Sequence, residues 1–302
     1  MRLLNLLFFY GVLIPISHLP YSVLYFLSDG LYVVIYKMVG YRKKVVLQNI
    51  ANSFPEKTHE ERLEIVSAFY RHFCDLVVES IKVFTISGEQ VKERFKFINP
   101  EYINRFFEKG QSVILAGGHY NNWELFAVAI DEAIKHKAVA LYKKLNSKFF
   151  DEKMRYSRGK YGLKMISTKA AKEEFEKNDD LRVIIFGVDQ SPGNPRTCYW
   201  SDFLNQDTGM IFGAEKYAKE YNHPVLYGRI NKVKRGYYTF EFSDAIEEPQ
   251  KTSHGEITKR IHQLLEKDIV AQPEYWLWSH KRWKHKRPAD LVQVPNVKVQ
   301  LS

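Results

Sequence analysis

Apolar positions in residues 57–84, KTHEERLEIVSAFYRHFCDLVVESIKVF, recur at helical spacing: Leu63, Val66, Phe69, Phe73, Leu76, Val77 and Ile81. They predict a long amphipathic helix, and Thr58 with Glu61 three residues on gives a capping-box pattern at its start. Further along, the pattern changes. SVILA at 112–116 is an unbroken apolar run that ends at a glycine pair, which suits a buried strand, and a helix is expected over 122–136. VAL at 139–141 and LRVIIFGVD at 181–189 read as further strands, with helical patterns over 147–160 and 169–177 between them. HPVLYGRI (223–230) and GYYTFEFSD (236–244) read as two more strands before a helix near 254–271. Strands alternating with helices predict an α/β fold, here an αβα sandwich around a central mixed sheet. No internal repeat or low-complexity linker divides the chain.

The N-terminus departs from this pattern. From Leu3 to Ser28 there is no Asp, Glu, Lys or Arg, and the run is longer than the ~20 residues that span a bilayer. Pro15, His18 and Pro20 interrupt it, so it suits a kinked span, or a short helix followed by a segment lying in the membrane plane. A secretory signal peptide fits poorly, because the run is preceded by a lone Arg2 and followed by no small-x-small cleavage site. Lys37, Arg42, Lys43 and Lys44 follow the run, and the positive-inside rule then places the remainder in the cytoplasm. The expectation is a membrane-anchoring helical segment at 1–40 and a cytoplasmic domain at 41–302. The alternative is a buried helical hairpin at the start of a soluble protein.

Composition narrows the partners. With 45 Lys+Arg against 35 Asp+Glu in 302 residues, the formal net charge of +10 implies an acidic partner: nucleic acid, anionic lipid or an acidic carrier protein. The hydrophobic share of 45% excludes global disorder, and 15% aromatics leans toward an interfacial protein. Two cysteines, Cys74 and Cys198, with no CxxC provide neither a disulfide framework nor a zinc site. His280 and His285 have no acidic or thiol companion at ligand spacing, so no metal is expected, and no nucleotide or other cofactor either.

Candidate chemistry gathers at GGHYNNWELF, residues 117–126. A strand, a glycine pair and a helix start place His119 at the carboxyl end of a strand, where α/β sheets commonly bind ligands. Five helical residues turn about 140° past a full turn, so His119 and Glu124 cannot share one helix face. They can meet if His119 lies in the loop and Glu124 in the first helical turn. A neutral imidazole there can take a proton from an alcohol while a carboxylate behind it fixes the tautomer. The Gly117–Gly118 turn and the helix N-terminus offer N–H groups to an oxyanion. The competing reading is structural: Asn121 caps the helix, Glu124 reaches back as its third residue, and His119 is a polar loop residue. Likewise Arg155, Arg158 and Lys160 suit either an anion site or a solvated helix face, and Asp189 either a catalytic strand end or a turn cap. In the tail, Trp276, Trp278 and Trp283 interleave with Lys281, Arg282, Lys284, Lys286 and Arg287, a composition favoured at membrane interfaces; RNA binding is the weaker alternative.

HYNNWE is a His-x4-Glu element, and it resembles that of the lipid A biosynthesis late acyltransferases, the lauroyl/myristoyl transferase family. Five other blocks follow the family's order: the apolar N-terminus with Leu19–Pro20, QNIANSFPEKTHEER at 48–62, LYKKLNSKFFDEKMRYSRGKYG at 141–162, GVDQ at 187–190 with TGMIFGAEKYAKEYNHPVL after it, and PEYWLWSHKRWKHKRP at 273–288. The resemblance implies transfer of an acyl chain from an acyl thioester, on acyl carrier protein or coenzyme A, to a hydroxyl of a lipid A precursor at the cytoplasmic face of the inner membrane. It implies that His119 is the base, that Glu124 orients it, and that Arg158 and Asp189 support the site or bind the phosphorylated acceptor; Gly118, from the glycine turn, is the further substrate-binding candidate. An acyltransferase acting on an aminolipid or lysophospholipid, and a catalytically idle membrane-surface binding protein on the same scaffold, remain as alternatives.

Overall fold

The computed structural model describes residues 2–176 and 180–291; residue 177, at the end of one expected helix, and 292–302 of the expected 41–302 domain lie outside the described residues. Among the described residues nine strands form: β1 (Phe95–Phe97), β2 (Val113–Gly117), β3 (Lys137–Tyr142), β4 (Lys164–Ser167), β5 (Arg182–Gly187), β6 (Tyr199–Phe203), β7 (Gln206–Met210), β8 (Val225–Lys234) and β9 (Tyr237–Ile246). Seven build one mixed sheet in the order β1-β9-β8-β2-β5-β3-β4, in which only β8 and β9 pair antiparallel. β6 and β7 form a separate hairpin.

The unbroken run of β2 follows from burial on both faces. Ile114 and Ala116 point into one core, Val113 and Leu115 into the other, as side chains alternate across a strand. The first core is covered by α4 (Lys43–Ser53), α5 (His59–Lys82), α11 (Gly213–Tyr221) and α12 (Glu256–Ala271); the second by α6 (Gly88–Arg94), α7 (Pro100–Glu108) and α8 (Trp123–Ala133). α9 (Lys148–Gly159) and the short α10 (Ala171–Phe175) belong to the crossovers around β4. The result is the helix–sheet–helix sandwich expected from the pattern, and the Thr58–Glu61 capping box at the start of α5 is formed with both of its bonds.

The apolar N-terminus divides at Leu19–Pro20. Before the break, α1 (Arg2–Phe8) passes through a π-helical turn into α2 (Ile14–His18). After it, α3 (Tyr21–Tyr32) continues as π-helix to Val39, and Tyr21–Val39 is long and apolar enough to cross a membrane. This helix extends past the charge-free run and is bonded along one face to the rest of the chain. Ser28 Oγ donates to Asp75 Oδ1 (2.7 Å), Tyr25 OH donates to Glu79 Oε1 (2.8 Å), and Asp29 accepts from Arg235 Nη2 (2.7 Å). Its opposite face is apolar and open, with Phe26 76% and Met38 75% exposed.

The tail corrects one expectation. Trp276 and Trp278, read as membrane-interface residues, are core residues, 2% and 0% exposed, and each indole N–H has a protein acceptor: Asp189 Oδ2 (2.8 Å) and Pro273 O (2.6 Å). Arg282 is buried as well, with Nη1 donating to Gly209 O (2.8 Å), while Lys281, Lys284 and Lys286 stay exposed. A paired indole is at home in a core, and the sequence composition does not distinguish that from an interface. Trp278→Ala should therefore cost about 3–5 kcal/mol and lower the thermal midpoint by roughly 10 °C. An unchanged midpoint with weaker membrane partitioning would restore the interface reading.

Candidate active site

The site grows from the register of two neighbouring strands. β2 and β5 run parallel with Gly117 opposite Gly187. Val188 N–H donates to Gly117 O (3.0 Å), so the two chains leave the sheet's carboxyl edge together. Two residues past each strand stand His119 and Asp189. The His119 Nδ1 lies 2.7 Å from Asp189 Oδ1, and the His119 backbone N–H donates to Oδ2 at 2.8 Å. With the indole of Trp276 also on Oδ2, the buried carboxylate has three donors. Close packing is what admits them. A Cβ on Gly118 would come within 2.7 Å of the Leu265 side chain and 3.3 Å of Asp189 Oδ2, and one on Gly187 within 3.1 Å of the His119 ring.

The electrostatics follow from this arrangement. Burial opposes charge on His119, but the charge and hydrogen bond of Asp189 outweigh it and raise the imidazole pKa above its ordinary value of 6.5. Burial likewise opposes ionisation of Asp189, yet His119 and the indole hold its carboxyl well below the usual range. With Nδ1–H donated to Asp189, Nε2 carries the lone pair. The His119 side chain is 25% exposed, and Nε2 lies 3.3 Å from the side-chain amide nitrogen of Gln190.

Glu124 lies elsewhere than expected. The cap of α8 is Asn122, whose Oδ1 accepts from Leu125 N–H (2.8 Å), so Glu124 is the second helical residue and not the third. Asn121 adopts a left-handed conformation (φ 57°), which asparagine tolerates; its N–H donates to Tyr275 O (3.0 Å) and its Nδ2 to Ile230 O (2.8 Å). Glu124 does not stand behind His119. Its carboxylate receives the fork of Arg158, with Nε at 2.7 Å and Nη2 on the other oxygen, and the Trp123 indole at 3.1 Å. Burial raises the Glu124 pKa, but Arg158 more than offsets it and keeps the group ionised. Trp123 bridges the two pairs, its ring 5.2 Å from the His119 ring and edge-on to it.

The five residues singled out in the sequence thus fall into one region, sorted differently. His119 and Asp189 form one pair, Glu124 and Arg158 another. Gly118 serves close packing beside Asp189, and the two N–H groups of the turn at His119 and Asn121 are already engaged. Three contributors were not singled out: Gln190, Trp276 and Trp123. Gln190 could have been found from its place after Asp189, and Trp123 from lying inside the His-x4-Glu element; for Trp276 the local composition pointed to the membrane. A cleft of about 480 Å3 lined by Gln111, Arg182, Tyr221 and His223 lies at the amino ends of β2 and β5, the opposite edge of the sheet, and holds none of these groups. An imidazole with one nitrogen anchored on a buried carboxylate and a lone pair on the other is equipped to take a proton from a hydroxyl.

The chain is 22% identical over 284 residues to the lipid A biosynthesis acyltransferase of Haemophilus influenzae, covering 92% of this chain and 90% of that one. It is 21% identical to the lipid A biosynthesis lauroyltransferase and 20% identical to the palmitoleoyltransferase of Escherichia coli, each covering 91% of this chain and 89% of the relative. Among solved structures, the 1-acyl-sn-glycerophosphate acyltransferase of Thermotoga maritima is similar at 13% identity and a TM-score of 0.38, over 84% of this chain and 95% of that one. Residues 3–285 match the profile described as bacterial lipid A biosynthesis acyltransferase, and the chain belongs to that family of acyltransferases.

Proposed function

We propose that the protein is a membrane-associated O-acyltransferase that moves a fatty acyl chain from an acyl thioester, carried by acyl carrier protein, to a hydroxyl of a lipid A precursor. The observation that carries this reading is the His119–Asp189 pair at 2.7 Å, which leaves Nε2 as the proton-accepting nitrogen of the ring. Nε2 takes the proton of the acceptor hydroxyl as its oxygen attacks the thioester carbonyl carbon. The tetrahedral adduct then collapses, the C–S bond breaks, and the imidazolium returns the proton to the leaving sulfur. Asp189 holds the required tautomer and stabilises the imidazolium. Because the amides of His119 and Asn121 are engaged, the Gln190 side-chain amide beside Nε2 is the donor best placed for the oxyanion. The Glu124–Arg158 pair fixes α8 against α9, and its guanidinium is of the chemistry that suits a phosphorylated acceptor.

The open apolar face of α3 and the basic Lys37 and Arg42–Lys44 that follow it support seating on the cytoplasmic face of the inner membrane. The net charge of +10 suits both an acidic carrier and a phosphorylated lipid.

In cells lacking the protein, mass spectrometry of the membrane lipids should show lipid A short of one acyl chain. Wild type should restore the chain and His119→Ala should not; in the purified enzyme that substitution should lower the rate roughly 10²–10⁴-fold. Unchanged lipid A with another lipid class short of an acyl chain would move the activity to that acceptor, and restoration by His119→Ala would remove His119 from the chemistry.

A pH profile tests the pair itself. A general base works only when neutral, so kcat/KM should rise with pH through a value above 6.5, the direction in which Asp189 moves His119. Asp189→Asn removes the raising charge. The acidic limb should then shift to lower pH while the plateau falls. A limb that stays in place would show that Asp189 does not set the state of His119.

A further inference from the structure

Glu79 on α5 is fully enclosed and takes no part in the chemistry proposed above. Among the described residues it makes no ion pair, unlike its neighbour Asp75, which is paired with Arg235 and Lys232. Three neutral donors hold it instead. Tyr25 OH donates to Oε1 (2.8 Å); Tyr238 OH (2.8 Å) and Asn122 Nδ2 (2.5 Å) donate to Oε2. A buried carboxylate without a counter-charge is a costly way to fill space. The origin of the donors gives it a use: they come from the apolar helix α3, from β9 and from the cap of α8.

Asn122 occupies a special place. One end of its side chain caps α8 and the other reaches back to Glu79. It ends the turn that begins at His119, and the residue before it, Asn121, sits at positive φ. Such a conformation persists where the surroundings over-determine it. From the other side the turn is fastened by the tail, through Asn121 N–H to Tyr275 O and Leu277 N–H to His119 O (3.2 Å). On the α5 side the fastening is Glu79, and its other oxygen is held by Tyr25.

We propose that Glu79 is a positioning residue through which the N-terminal apolar helix fixes the turn carrying His119 and Glu124, so that seating of that helix bears directly on the rate. The proposal rests on the reading of His119 as the base. It identifies α3 as part of the catalytic unit as well as an anchor: two hydrogen bonds, donated to Glu79 by Tyr25 and by Asn122, separate the membrane-facing helix from the turn.

The test is a double-mutant cycle on the full chain in lipid nanodiscs, with steady-state kinetics and thermal midpoints. Tyr25→Phe removes one hydroxyl and keeps the ring. Asn122→Ser keeps an oxygen able to cap α8 but is too short to reach Glu79. Each should lower kcat roughly tenfold with the acceptor KM within about twofold, because misplacing a base acts on the chemical step. The double variant should lose no more than either single one, since both sever the same link. Wild-type kcat in the single variants, losses that multiply in the double, or losses that merely track a lowered folded fraction would each overturn the link. His119→Ala is measured alongside. If it is inactive while Tyr25→Phe runs at the wild-type rate, only the link fails; if it is active, the site reading fails and the link with it.

Discussion

The bond between His119 Nδ1 and Asp189 Oδ1 exists because β2 and β5 are neighbours in register. The two residues are 70 positions apart in the chain, and each stands two residues beyond a strand-ending glycine. Most of what surrounds them serves that bond. Gly118 and Gly187 have no side chain where Leu265 and the imidazole need the space. Trp276 and the His119 amide supply the remaining donors that an ionised carboxylate requires once it is removed from water. Together with the charge of His119 they hold the carboxyl well below its usual range despite burial, and an ionised carboxylate holds the imidazole ready to accept a proton.

A second ion pair stands beside the first without sharing its role. Glu124 and Arg158 neutralise each other at the rim, and the Trp123 ring lies between them and His119. The His-x4-Glu spacing thus reflects two tasks on one turn. The histidine belongs to the sheet edge, the glutamate to the contact between α8 and α9. The turn itself is fastened by the C-terminal segment, by β8 through Asn121 and by α5, and the last of these leads outward to the apolar helix. The His119 turn, the sheet edge and the exposed apolar face of that helix are therefore connected by a few hydrogen bonds.

Much of this was legible in the sequence, and the failures have physical causes. Periodicity located β2, β3, β5, β8, β9, α5, α8, α9 and α12, because each buries a long apolar face or run. It did not locate β1 or β4, three and four residues long, nor the β6–β7 hairpin, whose strands mix polar and apolar positions on no clear period. Capping was read one residue early: Asn121 and Asn122 are both good caps, and only the left-handed turn at Asn121 selects the second. The residues singled out in the sequence lie in one region, but they pair as His119 with Asp189 and Glu124 with Arg158, not His119 with Glu124. Local spacing can join His119 to Glu124; joining it to Asp189 requires the strand order. The tail tryptophans show the same limit, since an indole beside lysines has the same composition at a bilayer surface and in a core with an acceptor.

The central claim is that Asp189, and not Glu124, is the carboxylate behind His119. The most direct measurement is the 15N NMR signature of the His119 ring in histidine-labelled protein, assigned by its loss in His119→Ala. The account predicts Nδ1 protonated and Nε2 accepting at a pH where the ring is neutral, a state kept in Glu124→Gln and lost in Asp189→Asn. A tautomer that survives in Asp189→Asn and is lost in Glu124→Gln would contradict it.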